Sequence, residues 1–336
     1  MSDTVSRRRL SLIPADVASR TLVVLLIAVI MVFGLTLGGG FLNIRTFQSM
    51  AFQIPQLGIL SLGMMVTLLC GGVNLSLIAT ANATGLTIAF LLSLAGPSAD
   101  TAAILGAVLG GFAVAGAIGL LNGALVAYIG VSPILATLGT MTLLKGLAVG
   151  FTRGGILSGF PPAILAVGNS AVLGVPTAAL IFAIVAIGLS VLLKRTPFGV
   201  RLYMIGSNEE ATRYSGVDTR RTLLMVYVLS SLLAAIAAVI MMARFNSTNA
   251  SYGESYLLIT LLAAVLGGVD PFGGFGRVVG LVLALVVLQT VSSGMNVMGV
   301  NSQLTVAIWG LILIGTVGFP LIRSALSPLL TRKKRS

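Results

Sequence analysis

Apolar residues fall in ten stretches along the chain, at roughly 21–38, 50–70, 77–95, 102–128, 133–150, 174–193, 222–243, 256–268, 278–296 and 303–322, and polar or turn-forming residues separate them. A membrane-spanning helix needs about 20 mostly apolar residues, and most of the stretches approach that length. The pattern predicts an all-α membrane protein, a polytopic bundle of about ten transmembrane helices. The eighth stretch is short, so it is expected to tilt differently or to be partly re-entrant. Pro55 lies inside the second, which predicts a kink or an early break. The segment 21–322 is expected to form one transmembrane domain between an N-terminal tail, 1–20, and a basic C-terminal tail, 323–336.

Composition strengthens this picture. The chain is 57 % apolar and only 8 % charged, whereas a soluble domain carries about 25 % charged residues. Its single cysteine, Cys70, allows no disulfide framework or cysteine metal site, and the lack of histidine removes the commonest general base and metal ligand. The acids are Asp3, Asp16, Asp100, Glu209, Glu210, Asp218, Glu254 and Asp270. All fall in expected tails, loops or segment ends, so paired-carboxylate catalysis has little to work with. No nucleophile–base pair or phosphate loop is evident, and no enzyme, metal site or cofactor is expected on this chain.

The net charge of +12 could suggest nucleic acid, but its distribution argues otherwise. With the N-terminus placed inside, sixteen of the twenty basic residues fall on the inner side: Arg7, Arg8, Arg9, Arg20, Lys194, Arg195, Arg201, Arg213, Arg220, Arg221, Arg277, Arg323, Arg332, Lys333, Lys334 and Arg335. Only Arg45, Arg153 and Arg244 fall outside, and Lys145 lies in a stretch, near its outer end, where it can snorkel. This positive-inside bias predicts both termini in the cytoplasm and explains the charge with lipid, not nucleic acid, as the surrounding partner. SRRRLSL loosely resembles an export signal, but the apolar stretch begins late, no small-residue cleavage site is evident near Gly38–Gly40, and nine more stretches follow. The first stretch therefore reads as a retained span. Gly106 and Gly110, and likewise Gly119 and Gly123, are four apart, a spacing that lets helix backbones approach closely in lipid. Two copies of GGV, at Gly71–Val73 and Gly267–Val269, do not relate matching halves of ten spans and read as chance.

The stretch 194–221, KRTPFGVRLYMIGSNEEATRYSGVDTRR, is charged and turn-forming between two apolar spans. Ser207 and Glu210 make an S-x-x-E capping pair, Glu209 and Glu210 sit in a first turn, Arg213 sits in a last turn, and Gly216 can end a helix. Together they predict a short cytoplasmic helix over about 208–215, roughly 12 Å long at 1.5 Å per residue. Such a helix suits docking of a partner; the bland reading is a solvated loop.

That stretch resembles the cytoplasmic coupling segment of ribose-type sugar permeases, the membrane subunits of bacterial ATP-driven importers. Their pattern is close to T-x-x-G-R-x-x-Y/F-A-I-G-x-N-x-x-A-A-x-x-S-G-I. Thr196, Gly199, Arg201, Tyr203, Ile205, Gly206, Asn208, Ala211, Ser215 and Gly216 match it, with the arginine shifted by one place. The run GLLNGALVAYIGVSPILATLGTM, Gly119–Met141, and the stretch from Tyr252 through Gly267–Gly268 to Gly280 resemble further family motifs. The family usually carries G-G-I-D-L-S-V-G; here the chain reads GGVNLSLIA, with Asn74 in place of the acid and Ile78 in place of a glycine.

The resemblance implies the permease of an inner-membrane importer for a monosaccharide or related small solute. Implied partners are a cytoplasmic ATPase with two nucleotide sites, which holds the ATP and Mg, a periplasmic sugar-binding protein received on outer loops such as 151–173, and a second copy of this chain or a close paralogue. It implies an ATPase-coupling role for Ser207, Asn208, Glu209, Glu210, Arg213, Tyr214 and Gly216. Polar residues in or near the spans, Asn74, Ser76, Asn82, Asn122 and Gln56, with Gln53 and Gln289, are candidates for a sugar path, because amides and hydroxyls match sugar hydroxyls. Each could equally serve helix–helix hydrogen bonding. The other function classes are an ion-coupled secondary transporter, disfavoured because no acid lies securely within a span, and a non-transport receptor or scaffold.

Overall fold

The computed structural model describes residues 15–96, 100–172, 174–301 and 303–315, with side chains described from Ser19 onward. Each of the ten apolar stretches coincides with a helix. They are α1 (Ala15–Leu37), α2 (Ile44–Leu68), α3 (Leu77–Ala95), α4 (Thr101–Ala124), α5 (Pro133–Thr152), α7 (Thr177–Arg195), α10 (Thr219–Phe245), α11 (Tyr256–Leu266), α12 (Val278–Val297) and α13 (Gln303–Gly315). A π-helical turn, Leu125–Ile129, extends α4. Between the spans lie α6 (Pro162–Asn169), α8 (Pro197–Ser207) and α9 (Glu209–Tyr214). Four two-residue strands, β1 (Leu157–Ser158), β2 (Ala171–Val172), β3 (Val175–Pro176) and β4 (Ser247–Thr248), pair β1 with β4 and β2 with β3, both antiparallel.

Eight of these helices are long and apolar enough to cross a membrane; α11 and α13 are shorter. At 11 residues, α11 spans about 16 Å, roughly half the hydrocarbon core, as its short apolar stretch predicts. Of the kink or early break expected at Pro55, the break is absent: α2 runs as one 25-residue helix through the proline.

Burial separates inner from outer helices. In α2, 72 % of the apolar window is buried, against 6 % in α1 and 17 % in α5. The centre is α2 and α10, packed on each other and flanked by α3, α4, α7, α11 and α12. Its core contains Ile59, Leu62, Met65, Leu77, Val226, Ala234, Ala237, Leu262 and Leu285. Helix contact in lipid depends on close packing, and Gly119 and Gly123 supply it as expected. A Cβ on Gly119 would stand 2.7 Å from Val228 Cα, and one on Gly123 would stand 2.9 Å from Leu224 Cα, so both glycines lie directly on the backbone of α10. The other glycine pair does not act this way. Gly106 faces open space and Gly110 meets only the Leu91 side chain, while the neighbouring Gly111 takes the contact with Ile88 and Thr84 of α3.

The connections gather at two ends. The segments 69–72, 196–218 and 267–277 lie at one, joined where Gly274 N donates to Leu69 O at 2.9 Å. At the other, β1 of the 153–172 stretch pairs with β4, just beyond α10. Among the described residues, Arg20, Lys194, Arg195, Arg201, Arg213, Arg220, Arg221 and Arg277 belong to the first end, and Arg45, Arg153 and Arg244 to the second. The tail arginines and lysines counted above, and the tails 1–14 and 323–336, lie outside the described residues.

Gly119→Leu is expected to destabilise the bundle by about 1–3 kcal/mol through overpacking against α10, read as a lower melting temperature in detergent. Gly106→Leu is expected to leave that temperature unchanged.

Candidate functional site

The basic end carries the 194–221 stretch. It is more helical than its composition suggests. Thr196 caps α8, its Oγ1 accepting from Gly199 N at 3.4 Å, with Pro197 in the first turn. Then α9 forms over only six residues, about 9 Å. Its N-cap is Asn208, whose Oδ1 accepts from Ala211 N at 2.9 Å. The expected cap, Ser207, is instead the last residue of α8. Asparagine caps as well as serine, and α8 reaches far enough to absorb Ser207. The remaining features stand as read: Glu209 and Glu210 in the first turn, Arg213 in the last, and Gly216 left-handed at φ +82° just beyond. Ser207, Asn208, Glu209, Glu210, Arg213, Tyr214 and Gly216 are all exposed, Tyr214 by 81 %.

Behind α9, α8 is held without slack. A Cβ on Gly206 would stand 1.9 Å from Leu69 O and 2.3 Å from Gly274 N, so nothing larger than glycine fits. Tyr203 Oη donates to Gly276 O at 2.8 Å. Burial pushes the Tyr203 phenol above its usual range, with Arg277 pulling the other way, so the phenol stays protonated and remains a donor at neutral pH. The 270–276 turn is itself fixed by Asp270, whose Oδ1 accepts from Phe272 N at 2.9 Å and whose N–H donates to Phe275 O at 2.9 Å. That turn leaves Phe272 85 % and Phe275 58 % exposed. Gly274 of the same turn stands against Ser207, the residue before the cap of α9. Sequence reading passed over both phenylalanines, because a glycine-rich run reads as a turn and not as a surface.

The second polar region lies where α2 ends and α3 begins. Residues 73–76 are not helical, yet Asn74 and Ser76 are completely buried. Asn74 Oδ1 accepts from Ser76 N (3.1 Å) and Ser76 Oγ (2.7 Å), and its Nδ2 donates to Ser230 Oγ at 3.0 Å. Ser230 Oγ in turn donates to Gly63 O, and Asn122 Nδ2 donates to Ser76 Oγ. On the other side, Thr137 Oγ1 accepts from Leu75 N and lies 3.1 Å from Val73 O and 2.7 Å from Pro133 O, to which its hydroxyl can donate. Ser230 lies about 16 Å along α10 from Thr219, so this network sits within the membrane-spanning part of the bundle.

Of the expected sugar-path residues, the structure brings together Asn74, Ser76 and Asn122. Asn82 stands apart, donating to Ala250 O and Tyr252 O. Gln56 donates to Tyr256 Oη, and Gln289 donates to Gln53 Oε1, in a third group nearer the opposite end. Buried polar atoms without a partner among the described residues include Asn122 Oδ1, Gln56 Oε1, Tyr227 Oη and Ser231 Oγ, which leaves capacity for further hydrogen bonds. Ser230, Ser231, Thr137 and Tyr227 went unread as site residues; the adjacent serines in an otherwise apolar span were the available signal. Lys145 does more than snorkel: its Nζ lies 2.6 Å from Glu254 Oε1. The lysine's hydrogen bond holds the Glu254 carboxyl below its ordinary range against the opposing pull of burial. The link is therefore present above the usual carboxylate range and is lost as pH falls through the lowered value. Among the described residues no group of three or more His, Cys, Asp or Glu could hold a metal ion.

Residues 46–317 match the permease-component family described as the branched-chain amino acid transport system. The chain belongs to this permease family. It is also 33 % identical over 280 residues to the ribose import permease protein RbsC of Bacillus subtilis (strain 168), covering 83 % of this chain and 85 % of the relative. It is 32 % identical over 302 residues to the autoinducer 2 import system permease protein LsrD of Salmonella typhi, with 88 % and 89 % coverage. The LsrD protein of Photorhabdus laumondii subsp. laumondii is 30 % identical over 305 residues. The resemblance read from the motifs therefore holds over nearly the whole chain, which is a multi-pass permease of the importer type.

Asn74→Asp, the acid usual in the resembling family, is expected to cost about 1–3 kcal/mol in detergent melting, because an ionised carboxylate cannot donate to Ser230 and is fully buried. Unchanged stability would mean that Ser230 turns to donate and that the amide does not hold this segment.

Proposed function

We propose that this chain is the membrane subunit of an ATP-driven importer for a monosaccharide or related small polyol-like solute. The observation that carries the reading is the capped, exposed α9 joined through the close-packed α8 to the end of α2. The chain has no G-x-x-x-x-G-K-[ST] sequence, so ATP and Mg belong on a partner ATPase with two nucleotide sites. That partner docks on Ser207–Gly216 and on Phe272. Its closure around ATP pushes α9, and α8 carries the displacement to Leu69 and the 270–276 turn. The 73–76 segment, continuous with Leu69, is the element whose two arrangements the push biases. Asn74, Ser76 and Asn122, then Gln56 and Asn82, exchange their internal hydrogen bonds for sugar hydroxyls as the bundle opens. A sugar rather than an amino acid is favoured by this amide and hydroxyl lining and by the ribose and autoinducer 2 relatives.

The basic end then faces the cytoplasm of a bacterial inner membrane, with both termini inside. The outer stretch 151–173, with α6, receives a periplasmic sugar-binding protein. The outward face of α5 receives a second copy of the chain or a paralogue. In support, Leu135, Leu138, Leu143 and Leu147 are exposed there around a groove floored by Gly139 and Gly146. An exposed small-residue groove between leucines is the surface that packs a helix in lipid.

The test is co-purification with the ATPase and sugar uptake in reconstituted vesicles. Glu210→Ala with Arg213→Ala, and separately Tyr214→Ala or Phe272→Ala, are expected to weaken ATPase association about 30-fold for a central aromatic and to abolish uptake. Uptake driven by an ion gradient with no ATPase present would overturn the reading.

A further inference from the structure

The outward face of α7 carries an apolar stripe. Leu180, Ile184, Ile187 and Val191 are exposed, and their spacing of four, three and four places them on one side of the helix. Lys194 and Arg195 continue that side by three and four more positions and are both exposed. The chain then turns at Thr196 into α8. This helix buries Gly199, Leu202 and Ile205 and presents Val200, Arg201 and Met204 outward. Val200 is 55 % exposed and Met204 38 %.

Three exposed cations and two exposed apolar side chains thus follow one another along the chain where the candidate span α7 gives way to α8. No acidic residue occurs between Thr177 and Asn208. Among the described residues no carboxylate lies within ion-pair distance of Lys194, Arg195 or Arg201. The exposed face of α9, by contrast, is of mixed sign, with Glu209, Glu210, Arg213 and Tyr214. A face of one sign, running on from a lipid-facing stripe and carrying apolar side chains at headgroup depth, is complementary to an acidic membrane surface.

We propose that Lys194, Arg195 and Arg201, with Val200 and Met204, form a binding site for the headgroup of an anionic phospholipid. The site holds the start of α8 at the membrane plane while Gly206, at its other end, bears on Leu69. It rests on the membrane-spanning reading of α7 and not on the importer reading, and its test requires no transport.

The full-length protein, purified in detergent, is titrated with phosphatidylglycerol and with phosphatidylcholine of the same acyl chains, and bound lipid is counted by native mass spectrometry. The expected result is tighter retention of phosphatidylglycerol, weakening as salt rises. Lys194→Gln, Arg195→Gln and Arg201→Gln together should lower that affinity roughly 100-fold, at about fivefold per charge, with phosphatidylcholine binding unchanged. Arg201→Gln alone, expected to cost about fivefold, keeps the test usable if the triple variant fails to fold. Val200→Ser with Met204→Ser should weaken both lipids, and Arg153→Gln neither. Equal affinity for the two lipids, or a folded triple variant that retains phosphatidylglycerol, would overturn the proposal. Displacement by excess inorganic phosphate, or by a co-purified soluble protein, would also overturn it by assigning the site to that ligand.

Discussion

The bundle depends on satisfying a short piece of non-helical backbone inside the membrane-spanning part. Between the end of α2 and the start of α3 the chain abandons the helix, and in lipid every backbone polar group so released must find a partner within the protein. Here the partners lie close by. Gly72 N returns to Thr67 O, Leu75 N goes to Thr137, Ser76 N goes to the Asn74 side chain, and Ser76 O accepts from Thr80 N. The side chains that do this come from the segment itself and from α5, and those that hold Asn74 and Ser76 come from α4 and α10. Three helices, α4, α5 and α10, are therefore registered on one buried segment. Gly119 and Gly123 set α4 directly on the backbone of α10, and Asn122, between them in sequence, reaches Ser76.

That arrangement also joins the two polar regions. The 73–76 segment begins three residues past Cys70, in the turn that ends α2, and that turn is the surface on which α8 rests. The joint is made of glycines at Gly71, Gly206, Gly273 and Gly274, with backbone meeting backbone. Side chains at such a joint would yield by changing rotamer; backbone contact transmits displacement. The joint thus places a short projecting helix, α9, on one side and the buried polar residues 73–76 on the other.

Much of this was legible in the sequence. Apolar stretches mark spans because lipid tolerates little else, and even the shortness of α11 was visible. The short helix α9 was legible from its acids, its Arg213 and its Gly216, while its start moved by one residue because Ser207 and Asn208 are both competent caps. The glycine pairs show the limit. Four-residue spacing places Gly106 beneath Gly110 on one face, but it does not say which face meets a neighbour, and Gly111 has that role. The partners of Asn74 were also out of reach: Ser230 is 156 residues away, and no local pattern specifies such a contact. The same holds for Lys145 with Glu254 and Gln53 with Gln289.

The central claim is that α9 and the buried 73–76 segment move as one device. Amide hydrogen exchange at Leu75 and Ser76, measured in the complex with the partner ATPase before and after ATP is added, tests it most directly. Exchange at these two amides should rise with ATP, and the rise should vanish when Glu210 and Arg213 are both alanine. Protection that stays constant on adding ATP to the intact complex would contradict the account.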